Sequence, residues 1–99
     1  MRSGHAPADS AGSRRYFVRG RVQGVGFRWF VQSSAESLGI SGWTRNLADG
    51  QVEVYATGSP EQLNELGALL WKGPSLSDVR GVDEEEADWQ QLAGFRILD

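Results

Sequence analysis

The residues of this 99-residue chain best suited to chemistry lie in one stretch, Gly20-Arg21-Val22-Gln23-Gly24-Val25-Gly26-Phe27-Arg28. Glycines at 24 and 26 free the backbone for conformations that a Cβ forbids, so successive amide N–H groups can turn inward as an anion-binding nest. Apolar residues at helical spacing follow, and a helix N-terminus adds unpaired N–H groups and partial positive charge that favour the same anion. Arg28 brings a planar, permanently charged guanidinium able to hold two phosphate oxygens at once. These features together suit a phosphate cradle. Glycine-rich turns between a strand and a helix more often only reverse the chain, and in that reading Arg28 is a solvated first-turn residue. No Gly-Lys-Ser/Thr follows the glycines and no third glycine completes a dinucleotide fingerprint, so a nucleotide is not implied.

The residues the chain lacks narrow the chemistry further. There is no cysteine, which excludes disulfides, thiolate zinc sites and a cysteine nucleophile, and fits a reducing compartment, so the cytoplasm is the expected location. The only histidine, His5, lies in residues 1–13, a stretch rich in Ser, Ala and Gly without the apolar core of a secretory signal. That stretch is read as a disordered tail ahead of a single domain at 14–99, so no histidine base is expected. No acidic residues fall in a metal-ligand pattern, and neither a metal nor a cofactor is called for. The net charge of -3 and pI near 5.1 oppose a nucleic-acid partner, which would need excess Lys and Arg. With 39% hydrophobic and 23% charged residues, and no apolar run near the roughly 20 residues that span a bilayer, the chain reads as soluble with no membrane partner. Charge is uneven: Arg14, Arg15, Arg19, Arg21 and Arg28 crowd one end, and the run Asp83, Glu84, Glu85, Glu86 near the other reads as a solvated strand end.

Something must hold the loop in place. Residues 16–22 alternate, with Tyr16, Val18 and Val22 on one face and Phe17, Arg19 and Arg21 on the other, which predicts a half-buried strand. After the glycines the period changes: Phe27, Phe30, Val31, Ala35 and Leu38 form one helical stripe, stopped by Gly39. Residues 40–46 read as a second strand, and Asp49-Gly50 turns the chain into a third at 51–57. Ser59-Pro60-Glu61-Gln62 offers an N-cap, a first-turn proline and a capping-box glutamine. The second helix it starts carries Leu63, Leu66, Leu69 and Leu70 on one face and ends near Gly73-Pro74. Strands at 76–85 and 95–98 complete the chain, with Phe95 and Ile97 expected to face the core. The order β-α-β-β-α-β plus a terminal strand predicts an α+β, ferredoxin-like βαββαβ sandwich: a four- or five-stranded, mostly antiparallel sheet with two helices on one face. That arrangement serves many unrelated functions.

The loop at 20–28 resembles the signature loop of the acylphosphatase family. Gly42-Trp43-Thr44-Arg45-Asn46-Leu47-Ala48-Asp49-Gly50-Gln51-Val52-Glu53 is similar to that family's second signature, and the resemblance extends over residues 15–98. It implies that the backbone N–H groups of Gln23, Gly24, Val25, Gly26, Phe27 and Arg28 bind phosphate. It also implies that the Arg28 side chain completes the grip and that the Asn46 amide holds the attacking water. Alone, an asparagine before a turn usually serves the turn by bonding its own backbone. Thr44 stands where the family more often has an aliphatic residue. The same domain occurs fused at the front of hydrogenase-maturation carbamoyltransferases, but at this length a free-standing enzyme is expected.

The implied activity suits the residues present. With no nucleophile placed beside a phosphate cradle, water attacks directly and no phosphoenzyme forms. An acyl phosphate is an activated anhydride whose carboxylate leaving group has a pKa of about 4 to 5, so no strong general acid is needed. The expected partners are a small acyl phosphate and inorganic phosphate, the latter as product and competitive inhibitor of a monomer. The rival is a ferredoxin-like module that binds an anion without catalysis. Trp43 belongs to the second motif, whereas Trp29, Trp71 and Trp89 read as packing or boundary residues and not as a binding platform.

Overall fold

A computed structural model describes residues 11–99 of the chain; most of the expected tail, including His5, lies outside the described residues. The elements are β1 (Gly12–Arg21), α1 (Phe27–Leu38), β2 (Ser41–Asn46), β3 (Val52–Gly58), α2 (Pro60–Lys72), β4 (Asp78–Ala87) and β5 (Phe95–Ile97). β1 begins inside the segment expected as tail. Gly12 pairs with Gly58 and Ser13 with Thr57 across β3, and the Ser13 hydroxyl lies 2.8 Å from that of Thr57 and accepts from the Tyr55 hydroxyl at 2.9 Å. The polar composition of Gly12 and Ser13 hides a strand end that is held by hydrogen bonds and not by apolar burial.

The five strands form one sheet in the order β4-β1-β3-β2-β5, antiparallel except for the β2–β5 pair. Strand alternation sends Tyr16 and Val18 of β1 and Val52 and Val54 of β3 to one face. There they pack with Phe27, Val31 and Ala35 of α1 and Leu63, Leu66 and Leu70 of α2 in a single core. Each of the fully buried large side chains is worth roughly 1.5–3 kcal/mol of transfer free energy, which is why both amphipathic helices settle on this face. This is the ferredoxin-like α+β sandwich with a fifth strand.

Capping sets the helix limits. The Ser59 hydroxyl accepts from the Gln62 amide at 3.1 Å, and Gln62 Oε1 accepts from the Ser59 amide at 2.8 Å, closing the capping box of α2. Gln62 Nε2 also donates to the Leu38 carbonyl at 2.7 Å, so one side chain starts α2 and finishes α1.

Two expectations change. The strand that holds the acidic run, β4, begins and ends two residues later than expected, and the run, solvent-exposed as read, also pairs with the arginines of β1. Arg14 meets Glu84 at 3.3 Å, Arg15 meets Glu85 at 3.8 Å and Arg19 meets Asp83 at 3.2 Å. Exposed pairs of this kind are each worth about 0–1 kcal/mol, so their main effect is on strand register. Ile97 is 36% exposed where a core position was expected, because β5 is a three-residue edge strand and only Phe95 reaches under α1.

Topology gathers three strand ends at one place. β1 and β2 both run antiparallel to β3, and β5 runs parallel to β2, so the C-terminal ends of β1, β2 and β5 share one end of the sheet. The first feeds the glycine loop, the second ends on Asn46, and the third ends on Ile97, with Leu98 directly after it.

Candidate active site

The loop between β1 and α1 takes the conformation its glycines permit. Gly24 and Gly26 have φ of 76° and 75°, in the left-handed region, and a Cβ at either would meet nothing within 4 Å, so both face open space. Val25 between them turns the other way and packs against the core. Gly26 is the N-cap of α1, makes no side-chain cap bond, and is followed by a first turn without an acidic residue. The helix ladder starts at Phe30, whose amide donates to the Gly26 carbonyl at 3.0 Å. Among the described residues, no hydrogen bond outside the regular helix and strand ladders has its donor in the amides of residues 23–28. Unpaired N–H groups, the positive end of a helix and glycine backbone free of side chains coincide here, which is what an anion requires.

Arg28 lies in the first turn of α1. Its Nη1 donates to the Leu98 carbonyl at 2.8 Å, a bond that uses one of the five guanidinium N–H donors and leaves the others for a ligand. Asn46, the last residue of β2, shares a strand face with buried Thr44, the face that carries the helices. Its Oδ1 is buried and has no hydrogen-bond partner among the described residues. The turn after it does not use that side chain. Leu47 donates to Gln51 at 2.8 Å, Gly50 to Leu47 at 3.2 Å, and Asp49 Oδ1 accepts from the Gln51 amide at 3.0 Å. An orphaned buried carbonyl oxygen costs about 1–3 kcal/mol, and its persistence calls for a partner from solvent.

Val22, Gly24, Gly26, Phe27, Arg28, Trp29, Asn46 and Ile97 line one cleft of about 210 Å3. Eighteen residues apart in sequence, Arg28 and Asn46 thus share it. Larger clefts exist, about 450 Å3 beside Trp43 and Arg96 and about 270 Å3 between Ser13 and Glu86, but neither joins a cation to an uncapped helix start. Of the residues expected in the phosphate site, Gly24, Gly26, Phe27 and Arg28 line the cleft. Gln23 and Val25 do not, which leaves only their backbone amides for an anion. The Gln23 side chain instead donates to the carbonyls of Leu47 and Gln51, both at 2.9 Å, and ties the loop to the turn that follows Asn46. Trp29, read from sequence as a packing or boundary residue, is 68% exposed on the rim of the cleft. The signal was present: Trp29 falls off the helical stripe of 27, 30, 31, 35 and 38 and directly follows Arg28. Thr44 is fully buried with its hydroxyl donating to the Glu53 carbonyl at 2.9 Å, so the polar substitution in this strand leaves no unmet bond.

Among the described residues, no group of three or more His, Cys, Asp or Glu side chains is placed to hold a metal ion, and no helix is long and apolar enough to cross a membrane.

Fold and cleft together define a small ferredoxin-like protein with an arginine and an uncapped helix start in one cleft at one end of its sheet. The family model for acylphosphatase matches residues 14–97. The chain is 55% identical over 85 residues to an acylphosphatase of Solibacter usitatus, spanning 86% of this chain and 88% of that one. It is 48% identical over 86 residues to an acylphosphatase of Alkalilimnicola ehrlichii, spanning 87% and 97%. Among solved structures, an acylphosphatase from Coxiella burnetii superposes with a TM-score of 0.87 at 36% identity, covering 90% of this chain and 94% of the other. One from Bacillus subtilis gives 0.85 at 35% identity, covering 88% and 98%. The chain belongs to the acylphosphatase family, and its reaction is the hydrolysis of the carboxyl-phosphate anhydride of acyl phosphates to carboxylate and phosphate.

Proposed function

We propose that this hydrolysis proceeds by direct in-line attack of water, with the amides of residues 23–28 and the Arg28 guanidinium holding the phosphoryl oxygens while Asn46 holds the water. The observation that carries the reading is the buried, unpartnered Asn46 Oδ1 in the same cleft as Arg28. A carboxamide oxygen accepts a hydrogen from water and so aims a water lone pair, without taking the proton. A site that only bound an anion would gain nothing from that oxygen, whose partial negative charge repels the ligand.

Loop amides and guanidinium are rigid dipoles and charge already in place where negative charge builds on the transferred phosphoryl group, so they stabilise the transition state without reorganising. The Leu98 carbonyl and the Gln23 side chain act behind them by fixing Arg28 and the loop. The carboxylate leaves as a weak base, so protonation is not rate-determining. Inorganic phosphate, the product, binds the same cradle and inhibits competitively. We further propose that the enzyme works as a monomer, and in the cytoplasm, which the lack of cysteine suits.

Hydrolysis of benzoyl phosphate in excess chelator, with a phosphate monoester as control, tests this reading. The anhydride is turned over at an unchanged rate in chelator and the ester is left intact. Equal turnover of the ester, or loss of activity in chelator, would overturn it.

A further inference from the structure

Phosphate chemistry leaves part of the cleft unused. Of the apolar residues that line it, Val22 and Phe27 are each 1% exposed and form its floor, Ile97 at the end of β5 is 36% exposed, and Trp29, at 68%, stands out furthest at its rim. Trp29 belongs to no packing stripe of α1, so the core does not account for it. Its position in the first turn places it one residue beyond the guanidinium that takes the phosphoryl oxygens, on the helix wall of the cleft and not on the strand end that carries Asn46. An acyl phosphate held by the loop has its acyl group one bridging oxygen from phosphorus, within the span of a side chain adjoining Arg28. The lining also has a single charged group, Arg28 itself. It offers no carboxylate to an ammonium on the acyl group, and no second cation to a further carboxylate or phosphate.

We propose that Trp29 is the specificity-determining residue of this enzyme: its indole forms the acyl-group subsite and selects uncharged acyl groups that are aromatic or bulky and aliphatic. The inference rests on the reading above that the loop and Arg28 hold the phosphoryl end. An indole presents a large flat apolar face at low conformational cost, and it prefers offset or edge contacts with a second ring. Acetyl phosphate, whose acyl group is a single methyl beyond the carbonyl, is too small to gain much from it.

The test measures kcat and KM for benzoyl phosphate and for acetyl phosphate, and the inhibition constant for inorganic phosphate, in the wild-type enzyme, W29A and W29F. Because Trp29 is exposed, neither variant removes core packing. W29A is expected to lose roughly 10-fold in kcat/KM on benzoyl phosphate, a factor matching one good aromatic contact, with W29F recovering most of it. The loss should fall mainly on KM, while acetyl phosphate turnover and phosphate inhibition stay within about 2-fold, since neither involves the indole. Equal losses on both substrates, or no loss on benzoyl phosphate, would remove the subsite and leave the catalytic reading standing. Failure of the wild-type enzyme on both substrates would remove the two together.

Discussion

Helix α2 begins with its first donors partnered by its own residues, whereas α1 begins with its donors open. At Ser59 a hydroxyl, a first-position proline, an acidic residue in the first turn and a reciprocal glutamine close the helix end locally. At Gly26 there is no side-chain cap, no acidic residue, and a left-handed glycine that holds the chain clear of its own amides. A side-chain cap is worth about 0.5–2 kcal/mol, so α1 forgoes stabilisation that α2 has. The same N–H groups cannot serve both an internal cap and a phosphoryl group. Within one fold, then, the end that lacks its own cap is the end to which we assign the ligand.

Breaking the open end at its charge should have the largest effect. In the proposed role, Arg28 makes hydrogen bonds that strengthen in the transition state, so Arg28→Ala should lower kcat/KM for benzoyl phosphate by roughly 100- to 1000-fold, with weaker phosphate inhibition. Near wild-type turnover would take Arg28 out of the site. Gly26→Asp would give α1 the anion that it lacks. Aspartate tolerates a left-handed φ better than most residues, and its carboxylate would occupy the amides and repel phosphate. Activity should fall by about 100-fold or more, while denaturant unfolding shows a native-like cooperative transition; an active Gly26→Asp enzyme would mean that the amides do not meet the substrate. At the closed end the effect moves to stability. Ser59→Ala should cost about 1 kcal/mol in denaturant unfolding and leave kcat/KM unchanged. A loss of activity without a loss of stability would show that the two helix starts are not separable in this way.

The contrast also explains what the sequence revealed and what it hid. The capping box at Ser59 and the stripes of both helices are local patterns; the box forms at the residues expected, and the stripes bury Phe27, Val31, Ala35, Leu63, Leu66 and Leu70, while Phe30 and Leu69 at their edges stay half-buried. The glycine loop was legible for the same reason, since φ near 75° at Gly24 and Gly26 is a backbone demand that few other residues meet. Asn46 was not legible from its own surroundings, because an asparagine before Asp49-Gly50 has the composition of a turn residue. Only the folded chain shows that Asp49 makes the turn's side-chain bond and Asn46 does not. Ile97 reads as a core residue and Trp29 as a packing or boundary one because apolarity signals burial only on average; Ile97 lies on an edge strand, and Trp29, off its stripe, is a boundary residue exposed at the cleft rim. The start of β1 was missed because Gly12 and Ser13 pair through backbone and hydroxyls, which hydrophobic periodicity does not register.

The division of labour across the cleft, anion on the helix side and water on the strand side, is tested most directly by Asn46→Ala. The kcat for benzoyl phosphate and the inhibition constant for inorganic phosphate should be measured together in that variant. The expected result is a fall in kcat of about 10-fold or more with phosphate inhibition held within about 2-fold, because the amide is assigned to water and not to the anion. A matching loss of phosphate affinity, or an unchanged kcat, would contradict it.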